Sequence, residues 1–139
     1  MESLISLAIL YAVGFETQNA FLSRLHSLFI ESPENEDYFY LESCADAKDA
    51  VLHVISLLGT RKINVKLFGK TFMSDLKQQY QKSDLKSFLN KSYNAWRYLP
   101  SDIAEEEPFF TFCYAGDPLL GGEDQCKEVL MEAFNYYNN

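Results

Sequence analysis

The apolar side chains between residues 4 and 15 form two rows at helical spacing, and together these rows cover most of a helix surface. One row contains Leu4, Leu7, Ala8, Tyr11, Ala12 and Phe15, and the other contains Ile5, Ile9 and Val13. A helix that is apolar on most sides is buried. We therefore predict an N-terminal helix at the centre of the core, kinked or ended by Gly14, and a second helix capped by Thr17.

Three short segments have the pattern of β-strands. Tyr38–Leu41 is dense in aromatic residues, and Lys62–Leu67 alternates between polar and apolar positions. Phe109–Tyr114 is apolar on both faces, which is typical of a central strand. Longer helical patterns separate these segments. We predict an α+β fold, a predominantly helical single domain with a small sheet of about three strands; an α/β fold with parallel crossovers is the alternative.

The length and composition of the chain fit one folded domain over residues 1–139. Hydrophobic residues make up 47% of the sequence, which is ample for a packed core, and no Pro/Gly/Ser-rich linker or internal repeat divides it. The apolar run near the N-terminus lacks a preceding basic region and is too short to span a bilayer, so we expect neither a signal peptide nor a membrane segment. Three cysteines without a C-x-x-C spacing favour a reduced, cytoplasmic protein.

Charge divides the chain into acidic, basic and acidic segments. Residues 1–60 carry a net charge of −7, residues 61–100 carry +7 and residues 101–139 carry −8, so that the whole chain carries −8. Arg61–Arg97 contains most of the positive charge. Its lysines and aromatic residues include Lys70, Lys77, Lys82, Lys86, Lys91, Tyr80, Tyr93 and Trp96.

Basic residues interleaved with aromatic residues are typical of nucleic-acid-binding proteins. A nucleic-acid-associated or regulatory module that uses residues 61–97 is therefore the alternative functional hypothesis. Against it, a net charge of −8 repels phosphate polymers at long range. The same lysines are also expected on the solvated faces of amphipathic helices.

The glycine-containing loop before the last predicted helix lies where phosphate-binding loops occur, between a predicted strand and a helix. It contains Gly116, Gly121 and Gly122. Glu123 and Asp124 follow where a P-loop has Lys and Ser or Thr, and two carboxylates would repel phosphate. We interpret this loop as a turn followed by a helix whose first-turn acids complement the helix dipole.

The remaining nucleophilic and metal-ligating residues show no catalytic spacing. Cys113 lies in the predicted apolar strand, where a thiol stays protonated and inert. His26 and His53 fall in predicted helices and have no local ligand partner for a metal. We predict no enzymatic activity, no cofactor and no metal; an enzyme with a scattered site is the third hypothesis.

Acidic residues cluster in three places and are the predicted partner-binding residues. They are Glu34, Glu36 and Asp37; Glu105, Glu106 and Glu107; and Asp117, Glu123 and Asp124. Acidic surfaces of small proteins steer and hold basic partners. The leading hypothesis is a non-enzymatic acidic binding protein, most concretely an immunity protein or antitoxin that neutralises a bacterial toxin by direct binding. The expected partner is basic, such as a nuclease.

Overall fold

The computed structural model describes residues 1–60, 63–117 and 121–138, and within these ranges the regular structure is helical throughout. The α-helices are α1 Glu2–Ala12, α2 Gln18–Glu31, α3 Glu36–Ser43, α4 Ala47–Ser56, α5 Val65–Lys82, α6 Leu85–Trp96, α7 Ser101–Ala104, α8 Thr111–Tyr114 and α9 Glu123–Phe134. A short 3-10 helix, Tyr136–Asn138, follows α9. No helix in these ranges is long and apolar enough to cross a membrane.

The predicted α+β class is wrong, because the described ranges contain no strand and therefore no sheet. Tyr38–Leu41 lies inside α3. In the predicted strand Lys62–Leu67, Lys62 is outside the described residues and Val65 begins α5. Phe109–Tyr114 forms a turn followed by α8. A short apolar run has the same periodicity in a buried strand and in a buried helix.

Asparagine caps explain why two of these segments are helical. The side-chain oxygen of Asn35 accepts the backbone N–H groups of Asp37 (3.0 Å) and Tyr38 (3.2 Å) at the start of α3. The Asn64 oxygen accepts the Leu67 N–H at 3.0 Å at the start of α5. Each bond satisfies backbone donors that a helix leaves free at its N-terminus.

The N-terminal helix is buried in the core, as its pattern predicts. Leu4, Ile5 and Ile9 are fully buried. α1 packs against α2, α4, α5 and α6, so it has neighbours on most sides. Gly14, with a φ of 92°, follows α1 in the left-handed region that favours glycine. The Thr17 hydroxyl accepts the Ala20 N–H at 3.1 Å, which confirms the predicted cap of α2.

Aromatic rings hold the second half of the chain together. The rings of Phe68 and Phe72 on α5 stack at 5.2 Å, and Phe109 stacks on Phe68 at 6.0 Å. A second cluster joins α5, α6 and α9: the ring of Phe88 lies 5.2 Å from Tyr80 and 6.0 Å from Phe134. These contacts fix the positions of α6 and α9 on α5.

Gly69 is the point where the C-terminal segment packs on α5. A Cβ atom at this position would overlap the hydroxyl of Tyr137. The side chain of Tyr137 is half-buried, and this burial raises the pKa of its hydroxyl. We expect Gly69→Ala to displace Tyr137 and to lower the free energy of unfolding by about 1–2 kcal/mol, because overpacking forces neighbours to move. Chemical denaturation measures this loss.

Gly59→Ala is the matched control, since its added Cβ would meet the Ser56 carbonyl oxygen at an ordinary 3.5 Å. In a Tyr137→Ala background, Gly69→Ala should become neutral or stabilising, because alanine is favoured over glycine in a helix by about 1 kcal/mol. An equal loss of stability with and without the Tyr137 ring would contradict this account.

Candidate functional site

The first acidic group lies at the start of α3 beside exposed aromatic rings. Glu34 and Glu36 are exposed and Asp37 is half-buried. Glu36 and Asp37 occupy the first helical turn, where carboxylates are favourable against the positive end of the helix dipole. Phe39 and Tyr40, in the next turn, are 63% and 50% exposed. An acidic edge and an uncovered aromatic centre therefore share one short helix.

Helical spacing determines which residues of α3 face solvent. Tyr38 and Leu41 are buried against the core, whereas Glu36, Phe39 and Tyr40 are exposed. Sequence analysis missed Phe39 and Tyr40 because a strand interpretation of residues 38–41 puts neighbouring residues on opposite faces. The helical spacing of 36, 39, 40 and 43 is the signal that finds them.

Contacts with α2 and α4 hold these two aromatic side chains in place. The ring of Phe29 on α2 lies 6.4 Å from that of Phe39, and the ring of His53 on α4 lies 4.5 Å from that of Tyr40. His53 Nε2 is 3.7 Å from the Asp37 carboxylate. We call Glu36, Asp37, Phe39, Tyr40 and His53 the α3 face. Its rings are supported on one side and open to solvent on the other.

The second acidic group occupies the turn between α7 and α8. Glu105, Glu106 and Glu107 are all exposed. A Glu107 carboxylate oxygen accepts the Thr111 hydroxyl at 2.7 Å, so this residue also supports the start of α8. Glu106 and Glu107 line a groove of about 500 Å³, together with residues of α5, α7 and the C-terminal 3-10 helix.

The third acidic group lies at the other end of α8. Asp117 and Glu123 line a groove of about 670 Å³ between α6, α8 and α9. Glu123 and Asp124 are exposed in the first turn of α9, as predicted, and Glu123 pairs with Lys127 at 3.0 Å. Exposed pairs of this kind contribute little to stability. This groove has no lining residue in common with the groove beside Glu106.

The groove between α6, α8 and α9 also contains the half-buried Cys113. The apolar central strand predicted for this cysteine is replaced by α8, and Phe112 beside it is buried. Gly122, with a φ of 107°, caps α9 through its backbone geometry, in line with the predicted turn and helix start. Of the glycine loop, residues 118–120 lie outside the described residues.

The described basic residues of the segment 61–97 lie along α5 and α6 and at the end of α6, and Arg61 and Lys62 lie outside the described residues. Lys70 on α5 is exposed and Lys77, seven residues further along, is half-buried. Lys82 and Lys86 flank the turn between the two helices and are exposed. Lys91 has a structural role, because it donates to the Gly14 carbonyl at 3.2 Å and lies over the Phe15 ring.

A buried polar contact joins α1 to α5. The hydroxyl of Ser6, which is fully buried, donates to Asp75 Oδ2 at 2.7 Å. Next to it, the Gln79 amide donates to Glu16 Oε1 at 2.7 Å. Burial raises the pKa of Asp75, the negative charge of Glu16 raises it further, and the Ser6 hydrogen bond opposes both effects. Within the described ranges, no group of three or more His, Cys, Asp or Glu side chains forms a metal site.

Comparison with known proteins identifies no relative of this chain. No protein-family model, no curated protein sequence and no solved structure matches the chain.

Asp75 predicts how stability changes with pH. Its folded pKa lies above the ordinary value of 3.8, so the folded state holds the proton to higher pH than the unfolded state does. The contribution of Asp75 to stability therefore falls as pH rises from about 4 through its folded pKa, and this loss persists at neutral pH. We expect Asp75→Asn, which keeps an acceptor for Ser6, to remove this loss. The unfolding midpoint of the variant should therefore exceed that of wild type by more at pH 7 than at pH 4.

The exposed Asp49 of α4 supplies the control variant Asp49→Asn, which makes the same charge change without desolvation. Denaturant unfolding of both variants at a series of pH values separates the effect of burial from the effect of the charge change alone. If Asp75→Asn and wild type lose stability in parallel above pH 4, the burial of Asp75 is not the cause.

Proposed function

We propose that this chain is a non-enzymatic protein-binding domain that holds a basic partner protein on the α3 face. The observation that supports the proposal is the exposure of Phe39 and Tyr40 next to the carboxylates of Glu36 and Asp37. Exposed apolar patches with a polar rim are typical of interaction sites. Aromatic residues are enriched at the centre of protein interfaces and supply much of their affinity.

Charge favours a partner of opposite sign over a second copy of the chain. A two-fold symmetric dimer would bring the same patch together from both subunits. The carboxylates of the α3 face would then oppose one another in a chain that already carries −8. A basic partner instead gains attraction at long range, which accelerates association, and covers the same aromatic rings on docking.

The most concrete form of this function is an immunity protein or antitoxin that neutralises a toxin. A basic nuclease fits as the target, because a surface that binds phosphate is cationic and complements the α3 face. The three free thiols fit a reducing compartment, and we place the protein in the cytoplasm.

Photo-crosslinking from position 39 in the native host tests which partner covers the α3 face. We expect a protein of net positive charge to be captured from position 39. Met131, exposed on α9, is the matched control position, and the same protein should not be captured there. Capture of acidic proteins, or equal capture from both positions, would contradict the proposal.

Kinetics with the captured partner separates the roles of rings and charges. Phe39→Ala/Tyr40→Ala should raise the dissociation rate constant by about thirtyfold, because central aromatic residues are worth about 2 kcal/mol or more. Glu36→Gln/Asp37→Asn should mainly slow association at low salt. Surface plasmon resonance at two salt concentrations measures both rate constants.

Glu128→Gln/Glu132→Gln removes the same charge from an exposed part of α9 and is the control. An unchanged dissociation rate after removal of both α3 rings would exclude the α3 face. Salt-dependent binding of mixed RNA that is lost on Lys70→Gln/Lys77→Gln would instead favour the nucleic-acid-associated alternative.

A further inference from the structure

A second aromatic surface runs across α6 and α8. The ring of Tyr93 stacks on that of Trp96 at 5.9 Å, Trp96 lies 6.3 Å from Phe110, and Phe110 lies 5.6 Å from Tyr114. We call these four residues the aromatic ladder. Tyr93 is 42% and Phe110 37% exposed, while Trp96 and Tyr114 are half-buried. The ladder therefore presents consecutive rings to solvent across two helices.

The centre of the ladder has a fixed orientation. The indole N–H of Trp96 donates to the Ala104 carbonyl at 2.8 Å, which ties the ring to the end of α7. This bond occupies the only polar atom of the indole, so the ring offers its apolar surface to a ligand. A ring that is already ordered loses little further conformational freedom on binding.

Hydrogen-bond donors lie on the exposed face of α6 that carries Tyr93. Asn90, Tyr93, Asn94 and Arg97 follow one another at helical spacing and are all exposed. Asn90 and Tyr93 line the groove between α6, α8 and α9, and Asn94 and Arg97 line a hollow of about 480 Å³ near the end of α1. Amide and guanidinium donors therefore share the helix face that carries Tyr93, at the α6 end of the ladder.

Carboxylates lie in the turn next to the ladder, opposite in sign to the exposed Arg97 that follows Trp96. Glu105 and Glu106 are exposed in the turn that leads into it. The Glu106 carbonyl accepts the Phe110 N–H at 2.9 Å, which places this turn directly beside the ladder. With a net charge of −8 on the whole chain, these carboxylates favour a cationic ligand and oppose a phosphate backbone.

We propose that the aromatic ladder binds an extended, proline-rich peptide segment that carries a basic residue. A polyproline II helix has no internal hydrogen bonds and is fully solvated, so its carbonyl groups need donors such as Asn90, Asn94 and Arg97. Its proline rings pack against aromatic side chains, which is how aromatic-lined grooves recognise such segments. The basic residue of the peptide pairs with Glu105 and Glu106. This surface is separate from the α3 face and does not depend on it.

Trp96 makes the proposal directly measurable, because it is the only tryptophan in the chain. The probe is a synthetic peptide of about ten residues, long enough for three turns of polyproline II, that is rich in proline and ends in two arginines. We expect a saturable change in Trp96 emission. Tyr93→Ala/Phe110→Ala should weaken binding at least tenfold, whereas Phe39→Ala/Tyr40→Ala should leave it unchanged. A similar loss in the α3 variant would instead assign the peptide to the α3 face.

Peptide variants test the chemistry of recognition. Replacing the prolines by alanine should weaken binding at least fivefold, and replacing the arginines by glutamine should weaken it threefold or more. Glu105→Gln/Glu106→Gln should remove the preference for arginine without affecting the glutamine peptide. Equal binding of the alanine peptide would overturn the assignment of a polyproline segment.

Two further controls decide between occupants and guard against misfolding. Circular dichroism checks that Tyr93→Ala/Phe110→Ala keeps its helix content. If the helix content falls, Asn94→Ala, a change at an exposed position of α6, replaces this variant and should weaken binding threefold or more.

Tighter binding of an oligothymidine than of the peptide would overturn the proposal in favour of single-stranded nucleic acid. A change in Trp96 emission with protein concentration alone would overturn it in favour of a second copy.

Discussion

The burial of α1 is the constraint on which the rest of the structure depends. Its residues Leu4, Ile5 and Ile9 have no contact with solvent. Four other helices pack against it. Because Ser6 is buried on the same helix, its hydroxyl requires a partner, and Asp75 of α5 provides one at 2.7 Å. This polar contact couples the position of α5 to that of α1, and the rest of the chain packs outwards from this pair.

The sequence identifies this centre well because the pattern there is long and consistent. An apolar helix of eleven residues, Glu2–Ala12, and the cap at Thr17 are local features that the tertiary structure keeps. The three predicted strands failed where the pattern is short. In Lys62–Leu67, the alternation that resembles a strand coincides with the cap of α5 at Asn64. Phe109–Tyr114 is rich in aromatic residues because its rings contact α5, α6 and α9, which a six-residue window does not reveal.

The candidate site was predictable only in part. Acidic residues are easily recognised in a sequence, and Glu36 and Asp37 lie at the accessible start of α3. Their role in binding a partner stays a prediction. The sequence does not show which of the three acidic groups lie beside exposed rings, because this depends on the rotation of the helices that carry the rings. A strand interpretation of residues 38–41 hides the fact that Phe39 and Tyr40 point away from the core. The aromatic ladder joins residues of α6 to residues of α8, and such a contact between distant segments has no local pattern.

Carboxylates next to exposed aromatic rings limit the unspecific association that the rings alone would promote. Uncovered aromatic surface promotes association with any apolar surface, including that of another copy. At the α3 face the adjacent carboxylates are Glu36 and Asp37, and at the aromatic ladder they are Glu105 and Glu106. Two copies meeting through either face would bring like charges together and repel each other. A basic ligand would instead be attracted by the same carboxylates and would cover the same rings. Under the proposed function, charge would select the partner and the rings would hold it, which requires both residue types to be adjacent on the folded surface.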